Sequence, residues 1–154
     1  MLDQLSSYTI PVFHPMMVHF PIVLTVLAAI CCAGWLFRDH LFWLYSSIWL
    51  AALGFIGALL STRTGETMEE QGEGIAIIDD LVQLHEQMAE RVTWVLGISL
   101  VVLVFGFWQS RQDLVRPGTA LWIRILSFIL LLAAAVMVSL TAHIGGLMSW
   151  GVPV

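Results

Sequence analysis

Long apolar runs alternate with short polar breaks along this chain. A bilayer core needs about 20 consecutive apolar residues per helix. Four segments reach that length: 15–37, 41–62, 77–108 and 119–144. His19 is the only ionisable residue of the first besides its cysteines, and the second carries no charge at all. The third has an uncharged core from Val92 to Trp108, and the fourth carries Arg124 near its start. The strict two-residue alternation of a membrane barrel is missing. The links between the first and second runs and between the third and fourth are short, which makes antiparallel neighbours. The expected fold is therefore all-α, an integral-membrane, up-down four-helix bundle in a single domain.

The middle link differs. "RTGETMEEQGEG" is polar, acidic and rich in glycine, so residues 63–76 read as an exposed acidic loop. After it, Ile78, Leu81, His85, Met88 and Val92 recur at three- and four-residue spacing, one face of a helix. The third helix is expected to start near Ile77 and to project beyond the lipid. No internal repeat is evident in the sequence.

Composition supports the membrane reading. The 154 residues are 59% hydrophobic and 11% charged, with a net charge of −5. Soluble domains carry about 25% charged residues, and nucleic-acid binding needs a basic footprint. Cys31 and Cys32 are adjacent, have no metal-type spacing and read as small hydrophobes. No zinc-protease, calcium-loop or phosphate-loop motif is present. The six basic residues are all arginines. Arg38, Arg111, Arg116 and Arg124 fall at one end of the bundle, and Arg63 and Arg91 at the other. The positive-inside bias makes the first end cytoplasmic and puts both termini and the acidic loop outside. Trp35, Trp43, Trp108 and Trp122 fit an inner aromatic belt; Trp94 and Trp150 fit an outer one.

Alternating spans then gather four of five histidines at the outer end. His14 and His19 open the first span, His85 lies in the first turns of the third helix, and His143 closes the fourth. His40 falls in the inner loop. A single interfacial histidine is usually an anchor, but four from three helices at one depth make a candidate metal or cofactor site. Met16 shares a face with His19, and Met88 with His85. Pro15 suits a first helical turn. Pro21 either lies inside the helix and frees the carbonyl of Met17, which could accept the second N–H of a ligating imidazole, or starts the helix behind a re-entrant cap from His14 to Phe20. Gly145-Gly146 reads as a break that lets the chain leave the fourth helix beside His143. Gly54 and Ala58 form a small-residue pair that suits close packing within the bundle.

The opening His14-Pro15, Val18-His19-Phe20-Pro21, the early His85 and the "TAHIGG" of Thr141 to Gly146 resemble the bacterial family called domain of unknown function 2231. The resemblance covers about the whole chain. The tail Trp150-Gly151-Val152 lacks a histidine that similar proteins tend to carry. The family is expected to be a four-helix plasma-membrane protein. Its relatives are sometimes fused to, or encoded with, c-type cytochrome modules. That association implies redox work at the outer membrane face and points to haem.

The leading expectation is thus a bacterial inner-membrane electron-transfer protein resembling a b-type cytochrome, with a c-type cytochrome or larger redox complex as partner. A CxxCH sequence is absent, so covalent haem attachment is excluded. Spans one and three are diagonal in such a bundle, which makes His19 and His85 the first axial pair. His14 and His143 are the alternative pair or supporting groups. The runner-up is a copper-handling protein using His14, His143, Met16 and Met88, since imidazole and thioether together suit Cu(I). A purely structural subunit is the third reading.

Overall fold

The computed structural model describes residues 14–72, 76–112 and 120–150. All of its elements are helices: α1 (His14–Met17), α2 (His19–Arg38), α3 (Leu41–Gly72), α4 (Ala76–Gln112) and α5 (Leu121–Trp150). Among the described residues four stretches are long and apolar enough to cross a membrane: His14–Arg38, Leu41–Glu66, Asp80–Gln112 and Leu121–Met148. Helix α2 packs on α3 and α5, and α4 packs on the same two, so α2 and α4 are diagonal, as are α3 and α5. The fold is the expected all-α four-helix membrane bundle.

Small and hydroxylated residues line its interior between a few bulky ones, Trp35, Leu44, Leu96, Leu103, Ile123 and Leu131. Ala28, Cys32, Ala51, Ala58 and Ala134 are buried with Thr25, Ser47, Ser99 and Ser127. Phe20, Trp49, Trp94 and Val101 face outward. Lipid is as apolar as leucine, so bulky side chains gain little by turning inward, and small ones let helices approach. Gly54 does so on α3: a methyl there would lie 3.3 Å from Thr25 Oγ1 on α2. The Ser47 hydroxyl donates to the Ala28 carbonyl at 3.0 Å and joins the same two helices. Cys31 and Cys32 are free thiols.

Helices α1 and α2 are nearly continuous. The Val18 N–H donates to His14 O (3.1 Å) and the Ile22 N–H to Val18 O (3.4 Å). Pro21, with no N–H, sits buried against Gly57 of α3, where a methyl would meet its ring at 3.2 Å. Two expected breaks are not breaks. Helix α3 runs through residues 63–72, because the glutamates, Met68 and Gln71 are good helix formers once the helix leaves the lipid. Helix α5 runs through Gly145 and Gly146, since each glycine costs a helix only about 1 kcal/mol and weakens it without ending it. The acidic side chains of Glu69, Glu70, Glu73 and Asp79, the side chain of Ile78, the link around Arg116 and Gly118, and the tail after Trp150 lie outside the described residues.

The end holding residues 35–45, 106–112 and 120–124 is closed. Trp35 is 1% exposed, not a belt residue. Its ring fills the space beside Gly106, where even a methyl would meet it at 2.9 Å. Asp39 ends α2 in a left-handed conformation (φ 44°) and donates its N–H to the Trp35 carbonyl. Arg124 donates to the Leu36 carbonyl (3.1 Å) and pairs with Asp39 (3.7 Å), neutralising the α2 C-terminus. His40 accepts from the Phe42 N–H (3.2 Å) and so caps the start of α3. Arg111 donates to the Tyr45 hydroxyl (2.7 Å) and lies over the Phe107 ring.

Candidate functional site

At the opposite end, two imidazoles face each other across the bundle. His14 and His85 have ring centroids 6.3 Å apart and planes at 79°. They come from diagonal positions, α1 at the head of α2 and the first turns of α4. Each leans on a different neighbour. His14 Nδ1 lies 2.9 Å from the Ser61 carbonyl on α3. His85 Nδ1 lies 3.0 Å from the Thr141 carbonyl on α5. A carbonyl only accepts, so each Nδ1 carries the proton and donates it. Each neutral ring then keeps an unprotonated Nε2. That is the state of a metal-ligating histidine, whose other nitrogen is fixed by a carbonyl or carboxylate.

The carbonyls that hold these rings are those of Ser61 and Thr141, not that of Met17. His14 has a second partner in Thr64 Oγ1 at 3.1 Å. The Thr64 hydroxyl turns its own hydrogen back to the carbonyls of Leu60 and Ser61, leaving the oxygen to accept. A glycine backs each ring. A methyl on Gly65 would sit 3.2 Å from His14 Cε1, and one on Gly145 3.2 Å from His85 Cε1. A methyl on Gly146 would meet nothing within 4 Å. Beneath the rings, buried Pro21, Ala58, Val92 and Val138 close the core.

The other expected site residues lie elsewhere. His19 and His143 are exposed on the outer sides of α2 and α5. Met16 is 57% exposed, whereas Met17 and Met88 are half-buried. Among the described residues no group of three or more His, Cys, Asp or Glu side chains converges on a metal position. A cleft of about 470 Å³ opens between α3 and α4 and is lined by Leu59, Thr62, Arg63, Glu66, Glu90 and Trp94. It touches neither imidazole.

The pairing of His14 rather than His19 with His85 had a signal in the sequence. Residues 14, 21, 25, 28, 32 and 35 form a stripe at helical spacing that is mostly small or hydroxylated. His19 belongs instead with Val23, Val26 and Ile30, a bulky stripe that faces outward. Ser61 and Thr141 were not singled out, because they act through their backbone carbonyls.

A family profile described as a predicted membrane protein, DUF2231, matches residues 10–154. The chain belongs to that family. Comparisons with curated proteins and with solved structures find no match. Membership in DUF2231 agrees with the four apolar helices and carries no activity with it.

Proposed function

We propose that this DUF2231 protein is a membrane electron-transfer protein resembling a b-type cytochrome, with His14 and His85 as the axial ligands of a haem. The supporting observation is the facing pair of imidazoles with Nδ1 bonded to carbonyls. Their ring centroids lie 6.3 Å apart with the planes at 79°. Two imidazoles are an incomplete donor set for four-coordinate zinc or copper, whereas a haem iron, held mainly by its macrocycle, would need only His14 and His85 from the chain.

Bound haem would supply a one-electron couple whose potential the surroundings tune. The chain's own groups do the rest. Ser61 and Thr141 hold the tautomer, Gly65 and Gly145 leave room for the rings, and the closed core below excludes water. The arginine bias puts this end at the outer face of a bacterial inner membrane, within reach of a c-type cytochrome or a larger redox complex. A cysteine introduced at Glu70 is expected to react with an impermeant reagent in intact cells, and one at Asp113 is not; the reverse pattern overturns the orientation.

The haem assignment is tested on protein purified in mild detergent. A Soret band with sharp reduced alpha and beta bands is expected. His14→Ala and His85→Ala should each abolish it or convert it to a five-coordinate spectrum. His19→Ala, His143→Ala and His40→Ala should leave it. A spectrum lost with His19 and indifferent to His14 rejects this axial pair. Colourless protein with stoichiometric copper moves the reading to a Cu(I) site, for which Met17 and Met88, each half-buried and three residues after its histidine, are the candidate thioethers. Colourless, metal-free protein leaves a structural subunit.

A further inference from the structure

The two halves of the site match residue by residue. His14 and His85 differ by 71 positions, and so do Met17 and Met88, each three residues after its histidine. Ser61 and Thr141, which supply the carbonyls, differ by 80 positions, and so do the backing glycines Gly65 and Gly145. Each half therefore reads His-x-x-Met, then Ser/Thr-x-x-x-Gly on the following helix.

These two offsets, fixed by the site alone, also align the cores. Adding 71 carries Pro21, Thr25, Ala28, Cys32 and Trp35 onto Val92, Leu96, Ser99, Leu103 and Gly106, all buried. Adding 80 carries Ser47, Ala51, Gly54, Ala58 and Ser61 onto Ser127, Leu131, Ala134, Val138 and Thr141, all buried. Helical periodicity alone would align any two buried stripes at several offsets. Here hydrogen bonds and glycine contacts choose the offsets, and burial then agrees at nine further pairs, while buried Ala29, Leu44, Gly57, Ile123 and Ala135 fall on half-buried partners. The helix contacts agree as well: exchanging α2 with α4 and α3 with α5 maps the packed pairs onto packed pairs. Helices α2 and α4 run the same way, so the relating axis runs along the bundle, between the two imidazoles.

We infer that the bundle is one helical hairpin used twice, and that Gly65 and Gly145 are equivalent positioning residues that let each imidazole reach the carbonyl one turn earlier on the neighbouring helix. The sequence hides this because few of the matched core residues are identical. The matched positions share depth and function, not side chains. The same offsets place His19 at the position of Glu90 and His143 at that of Arg63. All four are exposed; Arg63 and Glu90 line the cleft between α3 and α4, and the offsets assign the two outer histidines to the equivalent seam between α2 and α5. The site on the axis therefore takes a single centre approached from two opposite sides, which deepens the axial-pair reading and rests on it only for the occupant.

Full-length protein labelled with ¹⁵N-histidine, in detergent and without added cofactor, tests the positioning. His14 and His85 should both appear as neutral rings protonated at Nδ1 alone. Gly65→Val should return His14, and only His14, to the mixed tautomers of free imidazole. Gly145→Val should do the same to His85 alone. Gly146→Val carries the same backbone cost on the same helix and should change neither. Wild-type rings that exchange freely between tautomers, or Gly146→Val acting like Gly145→Val, overturn the inference. Should the valine variants not fold, the wild-type tautomers still decide it. Locked rings in protein that shows no Soret band after haem addition would keep the duplicated half-sites and reject the haem. With haem bound, Gly65→Val and Gly145→Val should shift the low-spin electron paramagnetic resonance signal, which reports the angle between the ring planes, and Gly146→Val should not.

Discussion

The two ends of this bundle use the same matched positions for opposite purposes. At the closed end the pair related by 71 residues is Trp35 and Gly106, and the indole of one fills the space left by the other. At the histidine end the pair is His14 and His85, alike in type, and each ring keeps to its own half. A large and a small residue on an axis make a plug. Two equal residues on an axis leave the centre to something else. The closed end is further fixed by Arg124 bonding to Leu36 and Asp39, contacts that have no counterpart in the first half. The difference teaches how one fold serves two ends: interlocking packing at one, two matched imidazoles at the other.

The largest expected effect comes from breaking the plug. Trp35→Ala would leave a void beside Gly106 in a bundle whose reference state is lipid, so the void term dominates over transfer. A loss of about 3 kcal/mol is expected from that term. It should appear as an earlier midpoint when unfolding is driven by a denaturing detergent. Under conditions where the variant remains folded, the tautomers of His14 and His85 should be unchanged. If the histidine signals collapse together with the closed end, the two ends are not independent and the comparison fails.

Much of this was readable in the chain. Span count, hairpin connectivity and the gathering of the histidines at one end follow from hydropathy and alternation. What hydropathy could not give is the rotation of each helix. In a membrane both sides of a helix are apolar, so Phe20, Val23 and Ile30 look as ready for a core as Ala28 or Cys32. His14 and His19, five residues apart, point to different sides, and only the stripe of small residues tells which is inward. The loop expected over residues 63–76 is helix as far as Gly72, for a related reason. Polar, charged sequence marks where a helix leaves the lipid, not where it ends, and glutamate-rich sequence continues a helix well. The ring-holding groups stayed hidden because a backbone carbonyl has no sequence signature, and Gly145 looked like a helix end rather than space for His85.

The smallest expected effect sharpens the comparison within the histidine end itself. The halves differ at one contact: Thr64 gives His14 Nδ1 a second acceptor, while its counterpart Ile144 can give His85 none. Thr64→Val removes the hydroxyl at nearly constant volume and keeps the Ser61 carbonyl in place. The second half already works without a hydroxyl there, so the first should too. A net hydrogen bond of this kind contributes roughly 1 kcal/mol or less, and a ring that keeps its 2.9 Å bond to Ser61 should lose only part of that. The His14 ring is then expected to stay protonated at Nδ1 with a small change in chemical shift toward that of His85, and unfolding midpoints should barely move. Loss of the His14 tautomer in Thr64→Val would show that the hydroxyl, not the carbonyl, holds the ring. The two half-sites would then be alike in outline only, and the equivalence of Gly65 with Gly145 would fall with them.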